Sequence, residues 1–374
     1  MFTTKKIAIV SVINDLVTDN RVNKACLSLV ECGYDVVLIG RKLPASLPIP
    51  HWPFQSIRMK LMFKKGPLFY LFFNLRLFLK LLFKKADLLY ANDLDTLLPN
   101  YLVSRLKKIP LIYDSHELFC EVPELLHAPL KRKIWLTIEG WIVPKLKTCI
   151  TVNESIAGIY SKKYKVPFQS IRNISEYPEN FHVRPRAALG LPEDKKILLL
   201  QGAGINIDRG AEELIDAMPD VESAVLLIIG SGDVWEILEK KVKAGALSDK
   251  VKLISKLPKS ELMHYTCNAD LALSLDKNTN LNYYYSLPNK IFDYINAGVP
   301  ILASHLPEIE KIIVTYDIGD FIPDHRPGSI AGKINDLLHS GDLERYRKNT
   351  LTAKKELKWS LERLKLLALI KNAV

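Results

Sequence analysis

Short apolar runs alternate with amphipathic stretches along nearly the whole chain. The runs at 7–13, 35–40, 87–91, 109–113 and 148–152 are five to seven residues long and dominated by aliphatic side chains. Between them, 20–32, 67–84, 95–107, 128–143 and 153–163 carry the spacing of helices. Uniformly apolar short strands that alternate with helices predict a parallel sheet covered on both faces. A polar, proline-bearing stretch at 173–195 interrupts the pattern and marks a hinge. The alternation then restarts, with strands at 197–201, 224–229, 251–254, 270–275 and 300–303 and helices at 210–218, 233–244, 259–267, 289–297 and 328–339. From Asp342 onward the chain reads as helix in need of a packing surface.

The pattern therefore predicts an α/β protein with two Rossmann-like domains, 1–178 and 179–341, and a helical segment, 342–374, that crosses back to the first. Open parallel sheets bind ligands at the carboxyl ends of their strands. Two such domains facing a central cleft would line it with strand-to-helix loops.

Length agrees, since 374 residues exceed one ordinary core. With 48% hydrophobic and 25% charged residues the chain is globular rather than disordered. Its five cysteines are odd in number and lack C-x-x-C spacing, which argues against a disulfide scaffold or zinc site and fits a reducing cytoplasm. Lys5-Lys6 ahead of Ile7 to Ile13 imitates a signal peptide, but Asn14-Asp15 end the run and no small-residue cleavage site follows. A first buried strand is expected there.

Charge changes the picture more. Residues 1–175 hold 26 Lys and Arg against 13 Asp and Glu, whereas the remainder holds 26 against 28. An anionic partner is thus expected for the first half alone. Within it, 59–85 sets Arg76, Lys80 and Lys84 at four-residue spacing among Leu and Phe. Charges interrupt the run too often for a spanning helix and suit one lying in a membrane interface. A sheet-packed helix with a solvated basic edge is the plainer alternative. No nucleic-acid motif accompanies the basic residues.

Three loops invite chemistry. Gly202 and Gly204, after the strand ILLLQ, would let backbone approach a phosphate, and Arg209 follows at a helix mouth. Ile207 occupies the third-glycine place of a dinucleotide fingerprint, so a dehydrogenase is disfavoured. Gly232 belongs to a second turn, Gly230-Ser231-Gly232-Asp233, after VLLIIG. In 285–304, YSLPNKIFDYINAGVPILAS, Asn289 and Lys290 fall on a first helical turn, where free amides and a cation suit a diphosphate. Asp293 lies one turn on, placed for ribose hydroxyls. A solvated Lys290–Asp293 pair is the alternative.

These residues resemble the nucleotide-sugar site of glycosyltransferase family 4 and its relatives. TDNRVNKACLSLVECGYDVVLIG resembles the family's first βαβ unit, and ADLLYANDLDTLLPNYLVSRLKKIPLIYDSHELFCEVPEL resembles one bacterial branch. Arg209-Gly210 and Asp293 to Pro300 match the second half. The resemblance implies the GT-B architecture and a retaining transfer from a nucleoside diphosphate sugar, with the diphosphate held by cations and helix amides and no metal cofactor. It aligns His116 with a histidine that touches the donor sugar. Glu117 and Glu121 become candidates for acceptor hydroxyls, as do Asp93 and Asp95. For the latter pair helix capping by Asp95 is the other expectation, and a D-x-D metal site is disfavoured because that arrangement belongs to a single-domain fold. The expected acceptor is a surface glycan or lipid-linked glycan, and the expected location is the cytoplasm, at the inner face of the membrane. Three positions depart from the family: Tyr285 stands eight residues before Asp293 where a Glu is usual, Asp293 itself replaces Glu, and Gly204 replaces Arg. An epimerase of the same fold and a non-catalytic sugar- or nucleotide-binding protein remain as alternatives.

Overall fold

The computed structural model describes residues 5–373 except Ala45 and Glu179. The chain packs as two compact units, 1–173 with 360–374, and 174–359. The expected domain boundary, at 178/179, abuts Glu179 and so touches a position outside the described residues, as do the expected ends at Met1 and Val374.

The first unit holds seven strands: β1 (Ile7–Asp15), β2 (Asp35–Arg41), β3 (Gln55–Met59), β4 (Leu88–Asn92), β5 (Leu111–Ser115), β6 (Thr148–Thr151) and β7 (Phe168–Ser170). Their order is β3-β2-β1-β4-β5-β6-β7, and every pair is parallel. The central strands are buried on both faces: Ala8 to Val12 and Leu88 to Asn92 are almost wholly covered. That explains their unbroken apolar sequence. β3 and β7 were not expected from the pattern; both are edge strands, β3 is half-buried and β7 is only three residues long.

The second unit has six strands: β8 (Lys196–Gly202), β9 (Ala224–Gly230), β10 (Val251–Ser255), β11 (Leu271–Ser274), β12 (Ile301–Ala303) and β13 (Gly319–Phe321). Their order is β10-β9-β8-β11-β12-β13, again parallel throughout. Alternate residues of β8 and β9 feed opposite cores. Leu198, Leu226 and Ile228 meet the helices Ala211–Ala217 and Pro327–His339, while Ile197, Leu227 and Ile229 meet Asn289–Ala297 and Pro307–Tyr316. In each unit the order reverses direction beside the first strand, which creates a crevice at the carboxyl ends of β1 and β4 and of β8 and β11.

The C-terminal segment divides. Helix Asp342–Glu356 packs on the second unit through Tyr346 and Ala353, and Lys354 Nζ bonds the Asn296 carbonyl at 2.9 Å. Only Ser360–Val374 belong to the first unit. There Leu366, Leu369 and Ile370 of helix Trp359–Asn372 are buried, and Glu362 accepts two guanidinium bonds and the backbone N–H of Arg172. The expectation that all of 342–374 packs back on the first domain is thus corrected: the first of its two helices buries a short stripe against the second unit, and only the later residues group with the first.

Candidate active site

In the second unit the crevice is built around one carboxylate. Asp276, just beyond β11, has no exposed surface. It takes Arg209 Nη1 at 2.6 Å and Lys290 Nζ at 3.2 Å, one cation on each oxygen. Local backbone explains the placement. Gly210 has φ +76°, and a Cβ there would lie 2.4 Å from the Leu275 carbonyl oxygen, so only glycine lets this loop pass the end of β11. Lys277 N–H donates to the Asp208 carbonyl at 2.8 Å and pins the two loops together. The Arg209 guanidinium lies 4.1 Å from the centroid of the Tyr283 ring, a cation–π stack that fixes its direction. Pro288 precedes the helix Asn289–Ala297, which Gly298 ends at φ +74°. Its buried face of Ile291, Phe292, Tyr294 and Ile295 turns Lys290 into the crevice.

Burial works against the charge on Asp276, but Lys290 and Arg209 outweigh it and hold its carboxyl below the usual range. Lys290 moves the other way: burial, with Arg209 adding to it and Asp276 opposing, lowers its ammonium from the ordinary value. Two cations share one anion, so the cluster keeps a surplus positive charge in a desolvated setting. Arg209 Nε is also buried with no partner. An unsatisfied guanidinium N–H in such a place is an open position for an anion.

The other residues expected here divide. Asp293 is half-buried and accepts from Ser175 Oγ at 2.6 Å and Gln201 Nε2 at 3.3 Å, while Asn289 is exposed at the helix start. Gly202 ends β8, and Gly204 lies in open loop where a Cβ would make only ordinary contacts. Gly232 serves the fold: a Cβ would stand 1.8 Å from the Ile205 carbonyl oxygen, so its small size seats one loop on another. Asp276 and Tyr283 escaped the sequence reading. Their only trace is an acid ending the apolar run LALSL and an aromatic triplet, neither of which reveals its partners.

In the first unit the carboxyl ends of β4 and β5 gather His116, Asp93, Asp95 and Asp114. His116 Nδ1 stands 3.3 Å from Asp93 Oδ2, and Nε2 stands 3.2 Å from Asn92 Oδ1 and 3.8 Å from Asp114 Oδ2. The Asn92 amide nitrogen donates to Ser11 O, which turns its oxygen towards the imidazole. Behind the histidine, Asp114 accepts from Arg21 Nη2 at 2.7 Å and from Tyr90 OH at 2.9 Å, all three groups being buried. Asp93 is held at φ +59°, a region uncommon for residues other than glycine, by its N–H to the Asp114 carbonyl and by the His116 N–H donating to its carboxylate.

Burial pushes Asp93 up to about 7, with His116 opposing, and Asp95 up to about 8, with Glu117 adding to the effect. Asp95 does not cap its helix. Asp93 is the residue at the N-cap of Leu94–Lys107, and Asp95 lies within the first turn, buried, with Oδ1 unpartnered. Glu121 is engaged by Arg132, which also donates to the Cys120 carbonyl. Glu117 is half-buried, and its carbonyl accepts from Ser115 and Tyr160. The basic residues of the helix Gly66–Phe83 and its cap lie away from this crevice: Arg76 is exposed and donates to the Lys60 carbonyl, and Lys80 and Lys84 are half-buried. Sequence reasoning missed Arg21, Tyr90 and Asn92, whose roles depend on contacts across 93, 24 and 24 residues.

The glycosyl transferases group 1 model matches residues 184–355, and the Glycosyltransferase Family 4 model matches 20–175. The chain belongs to the family 4-like, group 1 glycosyltransferases. Among curated proteins no sequence matches it. Similar solved structures include sucrose-phosphate synthase from Thermosynechococcus elongatus, 19% identical, covering 99% of both chains with a TM-score of 0.79. Another is Anabaena Alr3699/HepE in complex with UDP and glucose, 13% identical, covering 98% of this chain and 100% of that one at a TM-score of 0.76. A third is WaaG, a glycosyltransferase involved in lipopolysaccharide biosynthesis, 15% identical, with 96% and 98% covered at 0.68. This glycosyltransferase therefore has the GT-B fold, with two Rossmann-like domains.

Proposed function

We propose that this glycosyltransferase moves a hexosyl group from a nucleoside diphosphate sugar to a hydroxyl of a surface glycan or lipid-linked acceptor, with retention and without a metal cofactor. The observation that carries the reading is the pair Arg209 and Lys290 mounted on buried Asp276, with Arg209 Nε unpartnered. Two fixed cations supply the charge that a leaving diphosphate requires as its bond to the anomeric carbon breaks. Asp293 and Asn289, on the same helix, are set for the nucleoside side. Same-face attack balances the reaction: the acceptor oxygen bonds the anomeric carbon, the phosphate oxygen departs, and it takes the acceptor proton. Asp93, Asp95 and Glu117, in the other unit, serve the acceptor, His116 serves the transferred sugar, and Glu121 contributes only if Arg132 releases it.

The complex of HepE with UDP and glucose supports a nucleoside diphosphate sugar as donor, and the lipopolysaccharide role of WaaG supports a surface glycan as product. The exposed apolar and basic helix Gly66–Phe83 supports work at the inner face of a membrane in the cytoplasm.

The test titrates UDP, GDP, ADP and their common sugar derivatives against melting temperature, with EDTA and then with Mn²⁺. A shift of several degrees with one diphosphate in EDTA is expected. A response confined to Mn²⁺ would overturn metal independence. His116→Ala is expected to lower transfer by about 10²–10³-fold, as for the loss of one hydrogen-bonding group from the transition state, while diphosphate binding persists. Undiminished transfer would remove His116 from the reaction.

A further inference from the structure

The amino-end edge of the first sheet carries a cavity of about 550 Å³ beside the starts of β5 and β6, at Leu111 and Thr148. It is on the far side of the sheet from the carboxyl-end crevice. Four exposed cations line it, Arg105, Lys108, Lys145 and Lys147, together with Ala373, and among the described residues no carboxylate does. Four partly or fully buried basic side chains elsewhere in this unit are matched: Arg21 by Asp114, Arg132 by Glu121, Lys163 by Glu139 and Arg172 by Glu362. Among the described residues none of the four makes an ion pair. Lys145 stands 4.8 Å over the Trp141 ring, which meets Tyr101 of the pocket wall edge-on.

The rim is apolar. Leu106 is 65% exposed and Phe83 is 81% exposed. Lys107 Nζ bonds the carbonyls of Leu81 and Lys84, which ties the ends of helices Leu94–Lys107 and Gly66–Phe83 together and puts Leu106 and Phe83 on one edge. Trp141 is 46% exposed there as well. Like charges crowded without counter-ions call for an anion. A free phosphate has no use for large exposed apolar side chains at the mouth, whereas a lipid headgroup comes with acyl chains to receive them.

We propose that this pocket seats the phosphate headgroup of an anionic membrane lipid, with Phe83, Leu106 and Trp141 entering the acyl boundary. The inference rests on the reading that this enzyme works at a membrane and adds a specific headgroup site to it. The docking edge is then the carboxyl ends of these helices, rather than the Arg76–Lys80 face alone.

The test is flotation of the full-length protein with phosphatidylcholine vesicles, with and without phosphatidylglycerol. Arg105→Gln, Lys108→Asn, Lys145→Gln and Lys147→Gln are combined in one variant, asparagine being chosen because Lys108 has φ +56°. Near an anionic surface each basic residue changes partitioning by about fivefold, so the combined variant is expected to bind at least tenfold more weakly. Its melting temperature and its response to nucleoside diphosphates are expected to stay as in the parent. Phe83→Ser with Leu106→Ser is expected to weaken flotation with the pocket charges intact. Equal flotation of parent and charge variant would overturn the pocket while sparing the membrane reading. A parent that ignores anionic vesicles would overturn both. Inorganic phosphate that stabilises the parent but not the charge variant, with vesicle binding equal in the two, would assign the pocket to a soluble anion and overturn the lipid.

Discussion

The carboxyl-end crevices of the two sheets share a topology and carry opposite electrostatics. In the second unit one buried carboxylate holds two cations, and burial with crowding draws the Lys290 ammonium down. In the first, two aspartates flank one histidine, with a single buried arginine bound to one of them, and burial drives Asp93 and Asp95 upward. One crevice is poised for an anion, whereas burial in the other favours uncharged carboxyl groups. The same topology thus carries two electrostatic environments, set by side chains at strand ends, helix starts and the loops between them.

The sharpest way to break that contrast is Asp276→Asn. It leaves two partly buried cations without their anion, and a loss of about 3 kcal/mol is expected, read as a lowered denaturant midpoint for the second unit. A midpoint like the parent's would show that solvent already screens the cluster. Next comes Lys290→Ala, which on the proposed reading removes one contact to the diphosphate; affinity measured by calorimetry is expected to fall about 10²-fold, or roughly 2–3 kcal/mol. Unchanged affinity would leave Arg209 as the sole anchor.

The acidic crevice gives a smaller effect with the opposite pH signature. Asp93 and Asp95 have folded values near 7 and 8 against an ordinary 3.8, so the folded chain retains protons that the unfolded chain releases. Stability therefore falls as pH rises from about 4 to about 8. Asp95→Asn is expected to match the parent near pH 4 and to exceed it by at least about 1 kcal/mol above pH 8, or about 2–4 °C in melting temperature. Parallel melting curves across that range would place the charge of Asp95 in solvent. The smallest effect is expected at Gly204, where Ala should change stability by under about 0.5 kcal/mol, while Gly232→Ala cannot be accommodated without moving the Ile205 loop.

Much of this was legible beforehand. Apolar runs located ten of the thirteen strands, because strands buried on both faces leave an unbroken hydrophobic signature. Edge strands β3, β7 and β13 lack it, being short or half-exposed. Helix Pro307–Tyr316 was missed because its Ile-Ile-Val-Thr run favours strand as readily as helix. Lys290 and Arg209 were visible as cations at loop and helix starts. What joins them, Asp276, was hidden, as was Asp114 behind His116, since a buried ion pair is a property of distant segments and leaves no local periodicity. Gly232 misled for a related reason: a glycine that admits a phosphate and one that admits a neighbouring loop look alike in sequence.

The helix Trp359–Asn372 has a consequence for the order in which the protein is made. The first unit is begun by the earliest residues but needs Leu366, Leu369, Ile370 and the Glu362 carboxylate to finish its packing around Arg172. The second unit, 174–359, is complete before that helix has been synthesised. During translation the second unit can thus reach its native state first, while the half begun earlier waits, partly uncovered, for this helix to emerge.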